Sequence, residues 1–139
     1  MTIPMDLQCA SRDFETFLAD ARDVSGLTTR NQTYTMVQGV LLVFRRRLSL
    51  KDGIRFASVL PPILRAIFVS DWDTDEPQLP FRDRREMTGE VQALRRDHNF
   101  SPETAIRDVA IALRKNIDEV SLERVIASLP QEASEFWRV

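Results

Sequence analysis

Apolar residues recur at helical spacing along almost the whole chain, and no segment shows the sustained alternation of a half-buried strand. The pattern predicts four helices over about residues 11–70 and four more over about 83–138. The first pair is Ser11–Val24 and Asp83–Arg96, each apolar on one side. The second is roughly Thr29–Leu48 and Pro102–Asn116. Val37, Leu41, Phe44 and Leu48 make the stripe of one, and Ile106, Ala110, Leu113 and Ile117 that of the other. The unbroken run Val40–Phe44 makes the earlier helix apolar nearly all round, which predicts a central position. Ser101-Pro102-Glu103 reads as a helix start, with a cap, a first-turn proline and an early carboxylate. The third pair begins at Ser49 and Asp118, whose side chains can each accept an orphan N–H of the first turn; Ser49 with Asp52 resembles a capping box. These helices end at Leu60 and Leu129, because a following proline disfavours helical geometry in the residue before it. Pro61 and Pro130 then open the last pair, where a missing N–H costs nothing. The expected fold is all-α.

The two sets of helices align. A shift of 69 residues lays Gln32–Phe68 over Ser101–Trp137 without a gap, and six of the 37 pairs are identical: Thr35/Thr104, Val40/Val109, Arg45/Arg114, Arg55/Arg124, Leu60/Leu129 and Pro61/Pro130. About two identities would arise by chance, so an internal repeat is the better reading. Upstream, a register shifted by one helical turn places Phe14, Leu18 and Ala21 over Met87, Val91 and Leu94. The expectation is two tandem four-helix repeats, about 11–70 and 83–138, packed as a single domain over residues 1–139. The linker 71–82 should wrap the surface with Trp72, Leu79 and Phe81 tucked in.

The paired Leu-Pro corners, the segment Leu60–Trp72 (LPPILRAIFVSDW) and the closing SLERVIASLPQEASEFW resemble the bacterial family catalogued as domain of unknown function 2267. The resemblance runs from about Thr28 to Trp137. It implies a small two-copy helical fold and no catalytic or ligand residue. Where the family has glycine before the tryptophan, this chain has Asp71, which leaves the turn there open.

Composition excludes several functions. One cysteine (Cys9) and one histidine (His98) rule out a disulfide framework and His-rich metal cages, and a formal net charge of -2 gives no global attraction to nucleic acid or anionic membrane. No phosphate loop, dinucleotide fingerprint or nucleophile elbow occurs, so no cofactor is expected. No leader or membrane-spanning run is visible, and the expected location is cytoplasmic. Asp71-Trp72-Asp73-Thr74-Asp75 has the carboxylate spacing of a calcium loop. Its sixth position is Glu76 rather than glycine, and its twelfth is Arg82 rather than glutamate, so a solvated loop with its acids near Arg82, Arg84 and Arg85 is the better expectation.

Arg45-Arg46-Arg47, with Arg82, Arg84 and Arg85, are the candidate phosphate contacts of a nucleic-acid surface. Successive helical residues fan out by about 100°, however, and cations suit a helix C-terminus, which favours capping for Arg45–Arg47 as for Arg114 and Lys115. Met1–Ser70 carries nine basic and six acidic residues, Glu86–Val139 seven and ten, a complementarity that suits docking of the copies or self-association. His98 reads as a polar helix-end residue, and Cys9 falls in an expected irregular N-terminal stretch. The functional expectation is a non-enzymatic helical module that binds itself or a protein partner, with Phe68, Trp72 and Trp137 as the candidate partner surface. The alternatives are nucleic-acid binding through the arginines and an enzyme or small-ligand site between the repeats.

Overall fold

The helices form where the apolar spacing demands them, with one addition and several tightened ends. The computed structural model describes residues 2–139, and among these are nine α-helices and no strand. They are α1 Met5–Gln8, α2 Ala10–Ser25, α3 Arg30–Arg45, α4 Leu50–Ala57, α5 Pro62–Val69, α6 Arg84–Ala93, α7 Ala105–Asn116, α8 Glu119–Ser128 and α9 Gln131–Phe136, with one 3₁₀ turn at Arg96–His98. Helix α1 lies in the stretch expected to be irregular. No described helix is long and apolar enough to cross a membrane.

The predicted corners hold. Ser49 accepts the Asp52 N–H at 3.2 Å and Asp118 accepts the Ser121 N–H at 3.1 Å, so α4 and α8 start on side-chain caps 69 residues apart. Asp52 does not complete a capping box; its carboxylate lies 3.6 Å from Arg55 instead. Pro61 and Pro130 sit at the N-caps of α5 and α9. The start of α7 departs from expectation. Ser101 Oγ is buried and caps nothing, and the Ala105 N–H bonds Pro102 O at 3.0 Å, so residues 102–104 make a tight turn before the α-helix begins.

Helix α3 is central: Met36, Val37, Val40, Leu41, Val43 and Phe44 are all at most 1% exposed. Helix α2 packs chiefly on α7, and α6 chiefly on α3, each more extensively than on its neighbour in sequence. The N- and C-terminal halves are therefore interlocked. Gly39 permits the α3–α6 approach, since a Cβ there would lie 3.0 Å from Val91 Cγ1. The buried residues of α2 are Phe17, Leu18 and Ala21, and those of α6, each 70 residues on, are Met87, Thr88 and Val91.

The halves meet in an aromatic cluster around Phe44. Its ring lies 4.8 Å from Phe56, 4.9 Å from Phe136 and 5.1 Å from Trp137, while Phe56 stacks on Trp137 at 5.5 Å. Offset and edge-on aromatic pairs of this kind contribute about 0.5–1.5 kcal/mol each beyond burial. Phe68 and Trp137 belong to this core at 1% and 2% exposure. Both were candidates for a partner surface, and both face the core instead.

Candidate functional site

The six candidate phosphate arginines divide by what already holds them. Arg47 is 3% exposed and grips Glu90 on α6 through two bonds of 2.8 and 2.5 Å, with further bonds to Pro80 O and Val43 O. Arg84 points its Nη2 at the C-terminal end of α9, reaching the carbonyls of Glu135, Phe136 and Arg138. Arg45 is 7% exposed and donates through Nη1 to Phe68 O at 3.0 Å and Ser70 O at 2.9 Å, closing the end of α5. These three are held by internal acceptors; capping is expected of Arg45 and Arg47 but also of Arg46, whose side chain caps nothing, and Arg45 and Arg84 close other helices than their own. Arg46, Arg82 and Arg85 are exposed and form no ion pair among the described residues. Arg45 and Arg46 line one cleft, and Arg82 and Arg84 another.

The linker is built around Trp72. Its indole is half-buried, lies 5.2 Å from Arg45 Cζ and covers Gly53, where a Cβ would sit 2.1 Å from Trp72 Cη2. Asp71, just before it, has φ 53, the left-handed region that favours glycine, so this turn keeps a glycine-like backbone despite the aspartate. Phe81 packs on the core, but Leu79 is 39% exposed rather than tucked in. The linker acids do not pair with Arg82, Arg84 or Arg85. Asp73 instead accepts the Asp75 N–H, and no cluster suited to a metal ion occurs among the described residues.

Two corners stand in the same register. In the C-terminal half Arg114 donates to Trp137 O at 2.9 Å, the counterpart, 69 residues on, of the Arg45 bond to Phe68 O. Arg114 also pairs with Glu123 and lies 3.9 Å from Glu119. The positions 69 residues before those acids are Ile54 and Leu50, which are 57% and 49% exposed on α4. Sequence reasoning passed over these two, although the gapless alignment already contained the pairs Leu50/Glu119 and Ile54/Glu123. Arg45, lacking such acids, borders a cleft of about 250 Å³ between the end of α3, the start of α4 and the linker. Desolvation by burial, then the like charge of Arg46, push its guanidinium below its ordinary pKa; Glu76 and Asp71 oppose this.

Other candidates are solitary. His98 is exposed in the 3₁₀ turn. Cys9 sits between α1 and α2, where Arg12 Nη2 lies 3.0 Å from its sulfur. Asp108 on α7 is 2% exposed and bonded by the Thr104 hydroxyl at 2.7 Å; burial raises its pKa despite that bond. Ile3, Met5 and Leu7, on and before α1, are 63%, 70% and 50% exposed.

None of the curated proteins compared with it matches the chain. The family described as "Uncharacterized conserved protein (DUF2267)" matches residues 14–136, which includes both Leu-Pro corners, Arg45, Arg114 and the aromatic cluster up to Phe136. The chain therefore belongs to the DUF2267 family.

Proposed function

We propose that the chain is a non-enzymatic interaction module, formed by duplication of a four-helix unit, that docks a second copy of itself through the outer face of α4. The duplication is supported by correspondences at one spacing: the caps Ser49 and Asp118, the corners at Leu60–Pro61 and Leu129–Pro130, and the clamps Arg45 and Arg114. The docking rests on a single observation. Leu50 and Ile54 stand exposed one turn apart on α4, whereas the matching face of α8 carries Glu119 and Glu123. Adjacent exposed apolar residues on one helical face are a contact surface in search of cover. The chain also carries a second uncovered apolar element in Ile3, Met5 and Leu7, with Asp6 among them to meet the exposed Arg46 and Lys51 beside the α4 face.

Nucleic-acid binding has less support, because Arg45, Arg47 and Arg84 are held by internal carbonyls and Glu90. Sedimentation velocity of the protein and of Leu50→Glu/Ile54→Glu separates the readings. The docking reading expects a concentration-dependent dimer that the double variant abolishes. A strict monomer, or complexes formed only with added nucleic acid and lost with salt, would count against it.

A further inference from the structure

The clamps Arg45 and Arg114 differ in one group. Arg114 closes the end of α9 and meets the carboxylates of Glu119 and Glu123. Arg45 closes the end of α5 and forms no ion pair; its Nε and Nη2 donate to no group among the described residues. A guanidinium largely withdrawn from water loses hydration that an anion can replace. The two carbonyls and the Trp72 face offset part of that loss. The nearest acids, Asp71 and Glu76, act on it only from beyond ion-pair distance.

The cleft beside Arg45 has the chemistry of the missing group. Arg45 and Arg46 line it with Glu76 as the one acid of the lining, and Asp71 acts on Arg45 from outside that lining. Leu50, Trp72 and Pro77 give it an apolar side, and the volume of about 250 Å³ admits a small molecule. We propose that this cleft binds a small monocarboxylate with a short apolar tail, its carboxylate on Arg45 and Arg46 and its tail against Leu50, Trp72 and Pro77. The carboxylate takes the place that Glu119 and Glu123 take at Arg114. The cleft shares Arg46 and Leu50 with the face proposed for self-association, and its test reads ligand binding rather than mass.

The test is a titration of the full chain with sodium butyrate, followed through the side-chain Nε–H of Arg45 and the indole N–H of Trp72 by two-dimensional NMR. Both signals should shift and saturate with a dissociation constant of about 1 mM or tighter. Arg46→Ala, at an exposed side chain without internal bonds, should keep the fold and weaken binding about tenfold. Leu50→Glu, which supplies an internal carboxylate as Glu119 does, should shift the Arg45 signal without ligand and remove the butyrate response. Absent or non-saturating shifts, an equal response to butylamine, or tighter binding of inorganic phosphate than of butyrate would overturn the proposal.

Discussion

The corner where α3 meets α4 and the corner where α7 meets α8 share a design and differ in how it is completed. Each has a capped helix start, an arginine at the preceding helix end, and a Leu-Pro turn leading to a short last helix whose final carbonyls that arginine binds. At the second corner the cation is finished internally by Glu119 and Glu123, and the outer face of α8 is acidic. At the first, the linker folds over the arginine with Trp72, and the corresponding face of α4 presents Leu50 and Ile54. Two corners of like design packed into one core meet similar structural constraints, so the side chains that differ at matched, exposed positions are where a separate role can reside.

The comparison can be broken first at the cluster both corners share. Phe44→Ala removes the ring that touches Phe56 from the first corner and Phe136 and Trp137 from the second, and should cost about 3–5 kcal/mol in denaturant unfolding. A loss below about 1 kcal/mol would mean that the halves do not depend on this contact. Arg45→Met should cost about 1–3 kcal/mol, since it leaves the buried Phe68 carbonyl unpaired, and Arg114→Met less, because its partners are more exposed. Equal losses would erase the distinction drawn between the clamps. Gly53→Ala drives a Cβ into the Trp72 ring and should cost about 1–3 kcal/mol while displacing the indole from Arg45, a change tryptophan fluorescence would report.

The smallest expected effect is on pH dependence. Burial of Asp108 raises its folded pKa above its unfolded value near about 4, so the folded state holds that proton more tightly than the unfolded chain. Its contribution is present below the unfolded value and is lost as pH rises through the raised folded value. Asp108→Asn, which keeps an oxygen for Thr104, should flatten this loss in thermal unfolding recorded across that range. An unchanged slope would show that Asp108 ionises in the fold as freely as in the unfolded chain.

Much of the fold was legible because its signals are local. The Leu-Pro corners and the caps at Ser49 and Asp118 are set by residues within one turn of each other. Ser101-Pro102-Glu103 misled for a tertiary reason: Ser101 is packed 7% exposed, its carbonyl accepts from Gln92, and the helix starts three residues after Pro102. The site was less legible. The acceptors of Arg45 lie 23 and 25 residues away, and Glu90 lies 43 residues from Arg47, so no local pattern announces either contact. Phe68 and Trp137 sit on stripes that read alike for a partner surface and for a core, and only packing decides between them. Leu50 and Ile54 stand opposite Glu119 and Glu123 in the aligned halves, but that both are exposed is set by the packing of α4.

The proposal that the α4 face covers itself with a second copy is tested most directly by the mass of the protein in solution. Sedimentation equilibrium of the wild type beside Leu50→Glu/Ile54→Glu makes that test, because the double change installs on α4 the residues α8 already tolerates, within reach of Arg45. Such exposed pairs alter monomer stability by only about 0–1 kcal/mol. The account predicts a wild-type dimer and a folded, monomeric variant. A monomeric wild type, or a variant that remains dimeric, would contradict it.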